Sequence, residues 1–316
     1  GGLVAFPTET VYGLGGNGLD PQASAKIYQA KGRPSDNPLI IHIADMEDLE
    51  KIVKEVPESA KKLASVYWPG PLTMIFEKSD IVPYETTGGL DTVAVRMPSH
   101  EGARQLIESA GVPVAAPSAN TSGRPSPTTA EHVKEDLWGR IDMIIDGGLV
   151  GIGVESTIID VTEETPTILR PGYINQEMVS RVIGQVQMDR GLIQADSKVK
   201  PKAPGMKYRH YAPKAPVTVV RGDPAQTAAY IAQHIGEKTG VMCFDEYRDC
   251  FPGCVVECFG SENDLGTQAR EVFDRLRAFD DTDVRQIWAQ CPSDEGLGLA
   301  VANRIKKAAG FSVVEV

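Results

Sequence analysis

The chain has 316 residues and a formal charge of −11, from 32 Lys and Arg against 43 Asp and Glu. At roughly 150 residues per domain that length holds about two cores, and a content of 41% apolar and 24% charged residues describes a folded globular chain rather than a disordered one. No apolar run approaches the roughly 18 residues of a membrane-spanning helix, and the acidic balance argues against wholesale attachment to nucleic acid.

In chain order, short β-rich runs alternate with amphipathic stretches. Strands are expected at Leu3–Phe6, Leu39–Ile43, Leu72–Phe76, Thr92–Met97, Val112–Ala116, Met143–Asp146, Thr157–Val161 and Thr167–Leu169. Helical spacing covers Asp20–Ala30, Met46–Val53, Glu58–Tyr67 and Glu101–Ser109. Gly13, Gly15, Gly16 and Gly18 read as a glycine-rich loop, although tight turns alone need glycine too. The pattern is α/β with one large sheet. Strand signals near Ser156–Arg170 have no helix between them, so an antiparallel hairpin is expected there. The chain opens without Met and without a signal-peptide pattern, directly on an apolar strand, and a short segment is expected to precede Gly1.

Residues 190–215 break the rhythm. Residues 190–214 carry a net charge of +6, against −11 for residues 1–189 and −6 for residues 216–316. Most basic, proline-containing linkers are solvated tethers. The aromatic-basic knot Lys207-Tyr208-Arg209-His210-Tyr211 favours a strap across an anion-binding site. Beyond it, strands at Val217–Val220, Gly240–Phe244, Val255–Phe259, Arg285–Ala289 and Ser312–Val316 alternate with helices at Pro224–Ile235, around Leu265 to Phe279, and at Leu297–Ala308. That alternation predicts a smaller, doubly wound, Rossmann-like α/β domain over 216–316.

All five cysteines lie in the last quarter of the chain. Cys250, Cys254 and Cys258 fall four apart, but no CxxC pair is present and the nearby histidine is His234. They read as free thiols in a reducing, cytoplasmic setting.

Three segments are richer in polar groups than a turn requires. They are Phe6-Pro7-Thr8-Glu9-Thr10-Val11-Tyr12-Gly13-Leu14, Lys31-Gly32-Arg33-Pro34-Ser35-Asp36-Asn37, and Pro117-Ser118-Ala119-Asn120-Thr121-Ser122-Gly123-Arg124-Pro125-Ser126. The first and third follow an expected strand and the second precedes one, and loops at strand ends are where α/β proteins place ligand sites. Arg96 and Arg170 add cations at two further strand ends. No P-loop, HExxH or GxSxG motif occurs, and no side-chain nucleophile is evident. Chemistry here proceeds by positioning and charge neutralisation, which suits transfer to a nucleotide phosphate.

Together with Pro69-Gly70-Pro71-Leu72-Thr73, Val95-Arg96-Met97-Pro98, Glu155-Ser156-Thr157, Leu169-Arg170-Pro171-Gly172 and Pro204-Gly205-Met206-Lys207-Tyr208-Arg209-His210-Tyr211-Ala212-Pro213, these segments resemble the YrdC family of L-threonylcarbamoyladenylate synthases in its longer, two-domain form. The start looks a helix shorter than the family's. The resemblance implies a twisted mixed sheet whose helices form a concave site over 1–189, a linker acting as a lid over 190–215, and the Rossmann-like domain after it. It implies that L-threonine, bicarbonate and ATP, with Mg2+, give L-threonylcarbamoyl-AMP and pyrophosphate. The product would pass to the threonylcarbamoyl transferase machinery that modifies tRNA, with no membrane involved and direct tRNA contact not required.

Residue by residue, the resemblance puts Thr10, His42, Arg96, Ala116 and Ser156 in the threonine pocket. It puts Lys31, Arg33, Asn37, Thr92, Ser118, Asn120, Ser126, Arg170, Tyr208 and His210 on ATP, with Lys31, Arg33, Ser118 and Asn120 carrying the catalysis. Read without it, His42 in the apolar run Leu39-Ile40-Ile41-His42-Ile43 is more often a satisfied structural residue. Asp36 tempts as a metal ligand, but a cation carried by phosphates needs few carboxylates, and metal ligands stay unassigned. The competing reading is an RNA-binding module without catalysis, which would show salt-dependent tRNA affinity and no turnover.

Overall fold

The computed structural model describes residues 1–189 and 210–316. Tyr208 and the rest of the basic strap before His210 lie outside the described residues. The chain divides into two compact units. One holds Gly1–Ser122, Pro127–Gly151 and 155–189, and the other holds Gly123–Ser126, Ile152–Val154 and 210–316.

The first unit begins with the hairpin β1 (Val4–Phe6) and β2 (Gly13–Asn17), followed by α1 (Pro21–Lys31), β3 (Ile40–His42), α2 (Met46–Ile52) and α3 (Glu58–Tyr67). Next come β4 (Leu72–Glu77), α4 (Tyr84–Thr87), β5 (Thr92–Arg96), α5 (Glu101–Ala110), β6 (Val114–Ala115), α6 (Ala130–Leu137) and β7 (Met143–Ile144). The hairpin β8 (Thr157–Asp160) and β9 (Thr167–Arg170), α7 (Gln176–Ile183) and β10 (Gln187–Met188) complete it. Its ten strands form one mixed sheet in the order β10-β9-β8-β4-β5-β3-β6-β2-β1-β7. The expected α/β class and the expected antiparallel hairpin are both present, since β8 and β9 pair antiparallel.

The glycine-rich segment corrects the sequence reading. Gly13–Asn17 is a strand, antiparallel to both β1 and β6, and not a loop. Its glycines serve packing: a Cβ on Gly15 would stand 2.8 Å from the Phe6 ring and 2.9 Å from Val114 Cγ1. The neighbouring side chains need that space.

Period-two alternation gives the central strands two different faces. One face carries Ile41, Met74, Val93, Val95, Ile159 and Ile168 into the main core, where Leu49 of α2, Leu63 of α3 and Val179 of α7 pack on them. The other carries a smaller apolar set, Ile40, Ile75, Ala94, Ile158 and Leu169. In register with that second face stand His42 opposite Arg96 and Thr73 opposite Arg96. Alternation therefore lines up an apolar floor with polar groups at its end.

The second unit contains β11 (Val217–Arg221), α8 (Pro224–His234), β12 (Thr239–Cys243), β13 (Val255–Cys258), α9 (Leu265–Ala278), β14 (Gln286–Gln290), α10 (Gly296–Ala308) and β15 (Val313–Glu315). Every pairing in its sheet is parallel, in the order β13-β12-β14-β11-β15, which is the doubly wound arrangement expected. All five cysteines are free thiols. Among the described residues no helix is long and apolar enough to cross a membrane.

Candidate active site

The turn after β1 is locked by its own hydroxyls. Thr8 donates to the Val11 carbonyl at 2.6 Å and accepts from the amides of Thr10 and Val11 at 3.2 and 3.3 Å. Its single proton being committed, the 2.9 Å contact with Thr10 is a bond from the Thr10 hydroxyl to Thr8. Thr10 in turn accepts from Arg96 Nη1 at 2.8 Å. Toward a ligand the Thr10 oxygen is therefore an acceptor only.

Arg96, at the end of β5, is 4% exposed and is held on three sides. Nε donates to the Gly70 carbonyl at 3.3 Å, Nη1 to Thr10, and Nη2 to Glu9 Oε1 at 2.6 Å. A guanidinium has five N–H groups, so one remains on each terminal nitrogen. Burial pushes the Glu9 carboxyl up, but the Arg96 charge and hydrogen bond, together with the backbone amides of Glu9 and Ser99, outweigh it and hold the group below its ordinary value.

His42 is buried beside this pair. Its Nδ1 lies 3.2 Å from the Ile40 carbonyl, and its ring meets Phe6 edge-on at 6.4 Å between centroids. Burial first, then the nearby Arg96 charge, depress its pKa from 6.5 to about 3. Folded His42 is thus neutral at pH values where the unfolded chain takes a proton. That contribution to stability is present above pH 6.5 and is lost as pH falls toward about 3. His42→Phe should flatten the fall in thermal midpoint across that window, relative to wild type measured in the same buffers. Parallel curves for the two proteins would contradict it.

A second polar knot joins β4, β8 and β9. Ser156 Oγ lies 2.7 Å from Thr73 Oγ1, and Arg170 donates to Ser156 through Nε to the carbonyl at 3.0 Å and Nη2 to the hydroxyl at 3.2 Å. All three residues are buried. Because Thr73 is also in register with Arg96, this knot borders the Arg96 cluster.

Helix α1 delivers the third cluster. Asp20 caps its start, and Gly32 ends it in the left-handed conformation, at φ 60°. Lys31, one turn beyond Ile27 on the buried face of α1, points inward and is 1% exposed. Its Nζ donates to the carbonyls of Ser118 and Asn120, while its own carbonyl accepts from Ser122 N at 2.9 Å. The loop after β6 is thereby tied to the end of α1, and the Ala119 amide ties it again to the Tyr12 carbonyl at 2.8 Å. Arg33, on the outer side of the exit, donates to the carbonyls of Asn37 and Pro38. The Asn37 side-chain oxygen is buried and has no hydrogen-bond partner among the described residues.

The structure thus gathers Thr10, His42, Arg96 and, through the Thr73 contact, Ser156 with Arg170. Separately it gathers Lys31, Ser118 and Asn120, with Arg33 on Asn37. The Ala116 amide donates to the Ile40 carbonyl at 2.9 Å, which brings the end of β6 beside β3. Thr92 stands at the opposite end of β5 from Arg96 and is half-buried. Ser126 and His210 fall in the second unit. Sequence reasoning passed over Glu9 and Thr73. Both lie inside polar sequence motifs, and pairing the alternate residues of β4 and β5 brings Thr73 opposite Arg96.

Comparison with known proteins agrees over nearly the whole chain. The Sua5–YciO–YrdC family model, described as telomere recombination, matches residues 1–172. The chain belongs to this family. A second model, described as threonylcarbamoyl-AMP synthase C-terminal domain, matches residues 174–310. The threonylcarbamoyl-AMP synthase of Pyrococcus abyssi is 51% identical over 322 residues, covering 100% of this chain and 93% of that protein. The enzyme of the same name from Bacillus subtilis is 49% identical, covering 99% of this chain and 90% of its own length. Among solved structures, P. abyssi Sua5 complexed with L-threonine superposes with a TM-score of 0.95 at 50% identity, over 100% of this chain and 92% of that one.

Proposed function

We propose that the chain is a threonylcarbamoyl-AMP synthase, which converts L-threonine, bicarbonate and ATP into L-threonylcarbamoyl-AMP and pyrophosphate. The observation that carries this reading is the Arg96 fork, buried, triply anchored, and with one N–H left on each terminal nitrogen. That is the donor pattern of a two-point grip on a carboxylate. Similarity to synthases over the full chain length supports it.

In this reading Arg96 holds the threonine carboxylate, and the acceptor oxygen of Thr10 takes an amine N–H. His42, Ser156 and the backbone at Ala116 complete the pocket, His42 as a neutral ring. The threonine amine and bicarbonate give a carbamate with loss of water, and a carbamate oxygen attacks the α-phosphorus of ATP as the bond to pyrophosphate breaks and pyrophosphate leaves. Lys31, Arg33, Ser118 and Asn120 carry the catalysis by fixing the phosphate-facing loop and offsetting the developing charge. Asn37, Thr92, Ser126 and Arg170 bind nucleotide, with Tyr208 and His210 from the 190–215 strap, whose +6 charge suits a lid over phosphate.

Among the described residues no three His, Cys, Asp or Glu side chains gather as a metal site. In this reading Mg2+ arrives on ATP, held by phosphate oxygens whose charge it neutralises. Residues 1–189 form the catalytic domain and 216–316 the Rossmann-like one. The product serves a tRNA-modifying threonylcarbamoyl transferase in the cytoplasm, with direct tRNA contact not required.

The test is pyrophosphate release with each substrate omitted in turn. Release should require threonine, bicarbonate and ATP together. Salt-dependent tRNA affinity without that turnover would replace the reading with an RNA-binding one.

A further inference from the structure

We infer that Glu9 is a positioning residue for the synthase reaction: its Oε1 pins Nη2 of Arg96 so that the guanidinium fork meets the substrate carboxylate in one fixed orientation. The inference rests on the reading of Arg96 as the carboxylate clamp.

Three observations carry it. First, of the three bonds on Arg96, the one to Glu9 is the shortest at 2.6 Å and the only one to a charged partner. The Gly70 carbonyl at 3.3 Å and the neutral Thr10 hydroxyl would not by themselves hold an arginine against rotation about its long stem. Second, Glu9 sits on backbone that cannot drift. The residues on either side, Thr8 and Thr10, have both hydroxyls committed within the turn, and the Thr10 and Val11 amides are fastened to Thr8 Oγ1. A carboxylate on so rigid a turn is a fixed point against which a flexible cation can be set.

Third, the arrangement is poorly suited to a purely stabilising role. The Glu9 side chain is 14% exposed, and its Oε2 is shielded from solvent with no hydrogen-bond partner among the described residues. Desolvating a carboxylate and leaving one oxygen unsatisfied costs much of what the ion pair returns. A pair kept despite that cost is accounted for by what it does to Arg96. Glu9 cancels the charge of the buried guanidinium while the pocket is empty, and directs its two remaining N–H groups in advance of substrate.

The test compares Glu9→Gln, Glu9→Asp and Glu9→Ala with Arg96→Lys by steady-state kinetics, varying threonine and ATP separately. Loss of the pin should raise the threonine KM about tenfold in Glu9→Ala, with kcat and the ATP KM each within about twofold of wild type. Glu9→Asp, which keeps the charge, should recover part of that loss, and Glu9→Gln, which keeps size without charge, should fall between. Threonine KM within twofold of wild type in both Glu9→Ala and Glu9→Gln overturns the inference. So does a parallel rise of both KM values with a lowered thermal midpoint, the signature of a structural role alone. If instead Arg96→Lys leaves the threonine KM unchanged, the carboxylate-clamp reading itself fails, and the Glu9 inference with it.

Discussion

Arg96→Ala raises the threonine KM at least a hundredfold and leaves the ATP KM within about threefold of wild type. The size follows from losing two hydrogen bonds to a charged group, each worth about 1.5–3 kcal/mol, where about 2.7 kcal/mol corresponds to a hundredfold. The same substitution also harms the fold. It leaves the Glu9 carboxylate without its cation partner, a change that costs about 3–5 kcal/mol in buried pairs. The two effects separate in the double variant Glu9→Gln/Arg96→Ala, which removes the orphaned charge. Its thermal midpoint should recover toward wild type while threonine binding stays lost. Calorimetric titration of threonine and ATP into each folded variant checks this. Retained threonine affinity in Arg96→Ala would mean that the carboxylate binds elsewhere.

Lys31→Ala has the second largest expected effect, on the nucleotide half of the reaction. The Lys31 ammonium donates to the carbonyls of Ser118 and Asn120 and is 1% exposed. Its removal frees the loop after β6 and leaves two carbonyls without their shared donor, so kcat/KM for ATP should fall about a hundredfold. Threonine KM should move less than the ATP value, since Arg96 is held by Glu9, Thr10 and Gly70, none of which bonds Lys31. Lys31→Met, nearly as large but uncharged, should behave like Lys31→Ala if the hydrogen bonds matter rather than the volume. Adenosine distinguishes loop-holding from direct phosphate contact. If Lys31 acts through the loop, its loss weakens adenosine as well as ATP; if it touches phosphate alone, adenosine affinity is unchanged.

The two clusters differ in how far sequence alone could reach them. Lys31, Arg33, Ser118 and Asn120 were visible because cations and hydroxyls crowd at strand ends. That the Lys31 ammonium meets the carbonyls of Ser118 and Asn120 was not, because those partners lie 87 and 89 residues away. Thr73 looked like one more residue of an apolar strand until β4 was paired with β5, which set it opposite Arg96. Glu9 lies within a hydroxyl-rich turn, but its partner is 87 residues away. The glycines of β2 misled in the opposite sense. Their spacing suggested a loop, whereas the reason for them is the Phe6 and Val114 side chains pressing from neighbouring strands.

Sequence by itself determined the local and the periodic: strand and helix alternation, the α/β class of both halves, the acidic halves with a basic strap between them, and which motifs carry polar chemistry. These follow from residue neighbours a few positions apart, where hydrophobic period and cap chemistry act. Only the tertiary structure decided which polar groups meet and in which direction each hydrogen bond runs. Strand order and register are set by packing summed over the whole sheet, and proton direction by counting every donor and acceptor once the partners are known. That is why a net charge of −11 says nothing of a buried Arg96 already paired with Glu9, with one N–H left on each terminal nitrogen.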